Sequence, residues 1–324
     1  MTADQDEQII LLSLIPSPFA MSVKMALAEK GVKYQVFEED AAIFPGVKTD
    51  LLLRSNPVHE QVPVLIHRGL PVAESLVILE YIEETWPASS DGLLKRTALL
   101  PESPYERSIA RFWADFCNKK FWETSLLIMK KLDNEQIQAW NDTAQLYITL
   151  DREMTKLPYG KPFLFGEHLT IPDLVLAPLA SWITVYEGLA NRKFPDAKEC
   201  PRLSEWLDAI SKHPNVKCAI ADPKMMLDNA IYFQQRLRDK AIGVGAKHTN
   251  QTESSCTLVP GTTYETGKLV ESKFANEHTN QTECSCTLVP GTTYETGKLD
   301  DSKFANAPTN ETESSCTIIP TTSN

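Results

Sequence analysis

Ser17 is the first residue whose placement could do chemistry. It follows the apolar run Ile9 to Ile15 and precedes Pro18 and a stretch of helical periodicity, so its hydroxyl sits where a strand meets a helix. First-turn amides and the positive end of the helix dipole face a bound anion at such a position. A Ser-Pro pair there is most often only a cap, and Glu74-Ser75 ahead of the apolar Leu76 reads the same way in isolation. The chemistry nevertheless fits more than capping: a carboxylate at Glu74 can pair with an ammonium, while the Ser75 hydroxyl and nearby helix amides can hold a carboxylate. Trp122, Leu126 and Met129 lie at i, i+4 and i+7 and so share one face of a helix. A stripe of that kind is more often core than pocket.

The elements that must carry these residues can be read from periodicity. The run Ile9 to Ile15 is short enough for a buried strand. Phe19, Ala20, Val23, Ala26 and Leu27 recur at helical spacing up to Lys30, and Gly31 fits the end of that helix. A second strand is predicted over Tyr34 to Phe37, giving a βαβ unit with parallel pairing. After a short Leu51-Leu52-Leu53 segment, Val62 to His67 and Pro71 to Ala73 flank the turn Arg68-Gly69 and read as an antiparallel hairpin. Leu76, Ile78, Leu79, Ile82 and Trp86 then have helical spacing, with Ser75 as the predicted N-cap. The order β-α-β-(α)-β-β-α is that of a thioredoxin-like domain.

From Ser103-Pro104 to about Lys240 strand signals disappear. Trp113, Phe116, Leu146, Leu150 and the run from Leu174 to Tyr186 suggest four or more packed helices. Thr170-Ile171-Pro172-Asp173 places a hydroxyl three residues before a carboxylate, a capping box that starts a helix and does no chemistry. The expected organisation is an α/β thioredoxin-like domain over 1–88, a linker over 89–103 and an all-α helical bundle over 104–240. Residues 241–324 form a repetitive tail. Its first two copies, Lys247 to Asn276 and Glu277 to Asn306, differ at only four positions. With no Trp or Arg and few apolar anchors, the tail is expected to be disordered.

The formal net charge of -11 and the lack of a Lys/Arg cluster argue against a nucleic-acid partner. No apolar run approaches membrane-spanning length, and Met1 to Gln8 lacks the layout of a secretory signal. Seven cysteines show neither a disulfide framework nor zinc-ligand spacing. The sequence therefore reads as a soluble, reduced, cytoplasmic protein with no metal site.

Several segments together resemble a glutathione transferase, most like the plant tau class. They are Ser17-Pro18-Phe19-Ala20-Met21, Ala26-Leu27-Ala28-Glu29-Lys30-Gly31, Asn56-Pro57-Val58-His59, Val62-Pro63-Val64-Leu65-Ile66-His67, Glu74-Ser75-Leu76 and Arg111-Phe112-Trp113-Ala114-Asp115-Phe116. The resemblance covers about residues 9 to 240. It implies that Ser17 is the catalytic serine, its hydroxyl donating to the glutathione sulfur and lowering the thiol pKa. It implies that Val62-Pro63 is a cis turn pairing with the cysteinyl amide, that Glu74 and Ser75 hold the γ-glutamyl end, and that Phe19, Lys48 and Gln61 complete the glutathione site. Gln61 stands where the tau pattern has a second lysine, and Ala41 to Val47 reads as a local insertion.

For the apolar electrophile, the resemblance implies a pocket from Leu14, Trp122, Leu126, Met129 and Trp182. Glutathione would be co-substrate with no further cofactor, the role detoxification or stress response, and the assembly a homodimer. The absence of cysteine before Cys117 counts against a thiol oxidoreductase working through a mixed disulfide. The alternatives are a glutathione-dependent peroxidase and a ligandin-like binding protein without rapid turnover.

Overall fold

The computed structural model describes residues 8–39, 48–89, 96–241 and the backbone of 269–271. Strand β1, Ile9–Ser13, is central because both of its faces are apolar. Leu11 joins the main core, whereas its neighbour Leu12 packs with Leu52, Val64 and Ile66 on the opposite face. A strand buried on two sides reads as a continuous apolar run rather than an alternation. β1 pairs in parallel with β2, Gln35–Glu38, and antiparallel with β3, Val64–His67. β3 in turn pairs antiparallel with β4, Leu70–Ala73.

Three helices complete this half: α1, Pro18–Glu29; α2, Asp50–Ser55; and α3, Ser75–Thr85. α1 starts as the sequence suggests, with Ser17 as N-cap and Pro18 in its first turn. Its end is a Lys30 cap followed by Gly31 at φ 61, the left-handed position that glycine takes without a Cβ penalty. Two local expectations change. Leu51-Leu52-Leu53 belongs to α2, whose Thr49 side chain accepts the Leu52 N–H. The N-cap of α3 is Glu74, and Ser75 is its first helical residue.

The second half is helical throughout. α4, Pro104–Asp115, runs into a seven-residue π-helix, Phe116–Trp122, and on into α5, Glu123–Ser125, and α6, Leu127–Lys130. There follow α7, Asp133–Lys156; α8, Ile171–Leu176; α9, Leu179–Ala190; α10, Pro201–Lys212; α11, Pro214–Lys217; and α12, Pro223–Ala241. Asp173 nucleates α8 as its spacing predicts. Its carboxylate accepts from the Thr170 N–H at 3.0 Å and the Thr170 hydroxyl at 2.6 Å, and also from Leu164 N–H and the Trp206 indole. Complete burial pushes this carboxyl up despite those four donors, which favour its charged form.

α1 packs on α3 and α8, which joins the two halves. Lys30, with no exposed surface, extends Nζ to Glu83 on α3 and to the carbonyl of Thr97 in the connecting segment. Glu83 also accepts the Leu99 N–H at 3.0 Å. Burial lowers the Lys30 pKa, and the Glu83 hydrogen bond opposes that shift.

Within the repeat segment the described backbone comprises three residues. Leu269–Glu271, β5, pairs antiparallel with β2 and extends the sheet to the order β4-β3-β1-β2-β5. Backbone pairing needs no apolar stripe, so composition gave no sign of it. The rest of residues 242–324, and the Ala41 to Val47 insertion, lie outside the described residues. Cys117 and Cys200 are free and buried, and burial pushes the Cys200 thiol up to about 11. Both are thus poor nucleophiles at neutral pH. No described helix is long and apolar enough to cross a membrane.

Candidate active site

Register explains why distant residues gather at one end of the sheet. Ser13 is level with Glu38 across the parallel pair, and Leu12, Val64 and Ala73 are level across the antiparallel ones. The turn after β1, the segment entering β3 and the exit of β4 therefore share an edge. They carry Ser17, Val62-Pro63 and Glu74-Ser75 respectively.

Ser17 has extended backbone, φ -70 and ψ 117, and is 9% exposed. Its Oγ accepts the Ala20 N–H at 3.2 Å, and its own N–H donates to Leu14 O at 2.8 Å. A hydroxyl that serves Ala20 as acceptor still has its proton to donate. The site can therefore offer an O–H donor, backed by the dipole of α1, to an anionic sulfur or oxygen.

The Val62-Pro63 peptide is cis. Its approach is fixed by buried Asn56, whose amide donates to Gln61 O at 3.0 Å and whose carbonyl oxygen accepts the His59 N–H. Glu74 has φ 72, the left-handed region a non-glycine residue enters at a cost. Its exposed carboxylate meets His59 Nδ1 at 2.5 Å. Lys48 pairs with Glu60 at 3.0 Å, also in the open. Exposed pairs of this kind contribute little, so a ligand carrying an ammonium or carboxylate can displace them cheaply. Sequence reasoning did not single out His59 or Glu60. It also stopped two residues short of Asn118 on the π-helix, whose Oδ1 lies 3.4 Å from the buried Ser75 hydroxyl.

The expected apolar wall divides in two. Leu14, Leu126 and Met129 are partly exposed, as is Phe19, which packs against the main core. Trp122 has no exposed surface and donates its indole N–H to Val175 O at 2.7 Å. Trp182 is 3% exposed and donates to Pro16 O at 3.1 Å. Both indoles thus stand behind whatever surface an incoming molecule touches. Nor do Trp122, Leu126 and Met129 lie on one α-helix, because the π-helix ends at Trp122 and α5 and α6 meet at Leu126.

Residues 7–84 match the family model described as glutathione S-transferase, N-terminal domain, and residues 135–209 match the corresponding C-terminal domain. Glutathione S-transferase U26 of Arabidopsis thaliana is 38% identical over 231 residues, 71% of this chain and 97% of that protein. The probable glutathione S-transferase parA of Nicotiana tabacum is 34% identical over 72% of this chain and 98% of its own length. Among solved structures, the tau-class glutathione S-transferase of mango, Mangifera indica, superposes with a TM-score of 0.62 at 32% identity, covering 70% of this chain and 98% of that one. Rice GST1 in complex with glutathione gives 0.61 at 31% identity, covering 71% and 98%.

Proposed function

This chain belongs to the glutathione S-transferase family, and from that premise we propose that it conjugates glutathione to apolar electrophiles through a thiolate held by the Ser17 hydroxyl. The observation that carries the reading is the Ser17 geometry: an oxygen already serving Ala20 as acceptor, with its proton left for the sulfur. A donated hydrogen bond and the α1 dipole both favour thiolate over thiol, which lowers the thiol pKa. The thiolate then attacks an electrophilic carbon, forming the C–S bond while a halide departs with its bonding pair. In an addition, the neighbouring carbon instead takes up a proton.

In this reading the γ-glutamyl ammonium replaces His59 beside Glu74, and its carboxylate lies over Ser75 and the first amides of α3. The glycyl carboxylate takes the place of Glu60 at Lys48, with Gln61 nearby. The Val62 backbone meets the cysteinyl amide, Pro63 shapes that approach, and Phe19 closes the floor. Leu14, Leu126 and Met129 line the electrophile side, with Trp122 and Trp182 as backing. No cofactor beyond glutathione is needed for this chemistry.

A homodimer fits the apolar side chains left exposed on α3 and α4, namely Val77, Tyr105 and Phe112. Sedimentation as a monomer at micromolar concentration would contradict it. A cytoplasmic site of action fits a reduced thiol co-substrate, and cell fractionation is the measurement that checks it.

The test of the conjugating role is Ser17→Ala assayed with a chloronitrobenzene and with cumene hydroperoxide. The expected result is a loss of about 2–4 kcal/mol of transition-state stabilisation, by analogy with deleting one preorganised donor, with glutathione retention kept. A mutant that conjugates at the wild-type rate defeats the reading. Turnover of the hydroperoxide alone would make the protein a peroxidase, and glutathione retention with neither activity would make it a ligand carrier.

A further inference from the structure

We infer that Trp182 is a positioning residue for the reactive hydroxyl, acting from the helical half through the peptide unit that joins Pro16 to Ser17. The inference rests on the reading of Ser17 as the thiol-activating group. The Pro16 carbonyl and the Ser17 N–H belong to one planar unit. Its oxygen accepts from the Trp182 indole at 3.1 Å, and its N–H donates to Leu14 O at 2.8 Å. The plane is thus pinned at both ends, one by its own turn and the other by a residue 166 positions away in sequence.

Rotation of that plane changes φ of Ser17 and swings its Cβ. The hydroxyl direction is therefore a function of where the indole stands. The indole is itself fixed. Only 3% exposed, it packs against Tyr186 with ring centroids 5.2 Å apart, and the Tyr186 hydroxyl bonds Ser125 at 3.1 Å. Close contact between α9 and α12 holds the helix that carries it: a Cβ on Gly188 would come within 2.7 Å of Leu227. The electrophile-side helices thereby set the donor geometry on the glutathione side. Trp182 does this without touching either substrate.

Trp182→Phe removes the N–H donor and keeps an aromatic ring. Conjugating kcat is expected to fall about two- to tenfold at neutral pH, the range for losing one ordinary hydrogen bond. The pH profile of kcat/KM and the ultraviolet signal of enzyme-bound thiolate should both move to higher pH, while the KM for glutathione stays within about twofold. In a Ser17→Ala background the same substitution should change nothing further, since the hydroxyl it positions is gone.

An equal loss in both backgrounds would overturn the inference, as would an unmoved thiol ionisation. A rise confined to the KM of the electrophile would overturn it too, making Trp182 a pocket wall. If Trp182→Phe does not fold, site-specific benzothienylalanine at 182 replaces the N–H with sulfur at nearly the same shape and gives the same readouts. Wild-type rates in Ser17→Ala alone would instead strike at the functional reading, so the two failures are distinguishable.

Discussion

Lys30 and Glu83 meet with Nζ 2.6 Å from Oε2, at a point where the lysine side chain is wholly enclosed and the glutamate is 10% exposed. The pair sits beneath the junction of α1, α3 and the segment at Thr97 to Leu99, whose backbone supplies the remaining hydrogen bonds. Removing one partner leaves a buried charge without its counter-ion. Glu83→Ala is therefore expected to destabilise the fold by about 3–5 kcal/mol. Pairing Lys30→Met with Glu83→Leu should recover much of that loss, because both charges then go together. Denaturant unfolding of the three variants checks this, and a double variant no better than Glu83→Ala would contradict it.

Glu74 is a non-glycine residue at φ 72, a conformation that costs on the order of 1–3 kcal/mol. Glu74→Gly removes that cost together with the carboxylate. It should melt no lower than the wild type and yet bind glutathione more weakly by calorimetry. Glu74→Gln keeps the backbone penalty and loses only the charge, so its affinity should also fall. Unchanged affinity in both variants would remove Glu74 from the site.

Asp173 gives a pH dependence with a definite sign. Burial raises its folded pKa above the ordinary aspartate range, so the native state keeps the proton to higher pH than the unfolded chain. Its linked contribution to stability is fully present below the unfolded pKa and is lost as pH rises through the folded one. Asp173→Asn cannot titrate. The wild-type stability relative to Asp173→Asn should therefore decline from acid to neutral pH across that window. Parallel denaturation curves at every pH would show that the shift is absent.

A chain ending at Lys240 is expected to fold and to retain conjugating activity. It loses β5, which is only three residues long, and no described residue of the proposed site. Aggregation, a much lower melting temperature or lost activity in the truncated chain would show that the repeats are structural.

Much of the fold is legible because its signals are local. Pro18 after Ser17 announces a helix start within two residues, and Thr170 to Asp173 encloses a complete capping box in four. What could not be read is non-local or conformational. Nothing in the order Ala-Glu-Ser-Leu signals that Glu74 takes a positive φ, so sequence spacing places the cap one residue late. The Lys30-Glu83 and Trp182-Pro16 bonds join residues 53 and 166 positions apart, and no window of sequence contains either. The family resemblance supplied site residues by position. It could not supply the pairing of Glu74 with His59 or the burial of both tryptophans.

The π-helix has its consequence in phase. A turn closed one residue wider than α lets the chain leave Trp122 at an azimuth that unbroken α winding would not reach. The rows of side chains before and after Phe116–Trp122 therefore do not line up as the sequence spacing suggests. Deleting a single residue in this segment is expected to restore ordinary winding and leave Leu126 and Met129 near their present azimuth, because the wide turn absorbs about one extra residue. Substitutions that tighten the turn with all seven residues kept would instead rotate Leu126 and Met129 together about the helix axis, re-aiming both in a single discrete step while each keeps its identity.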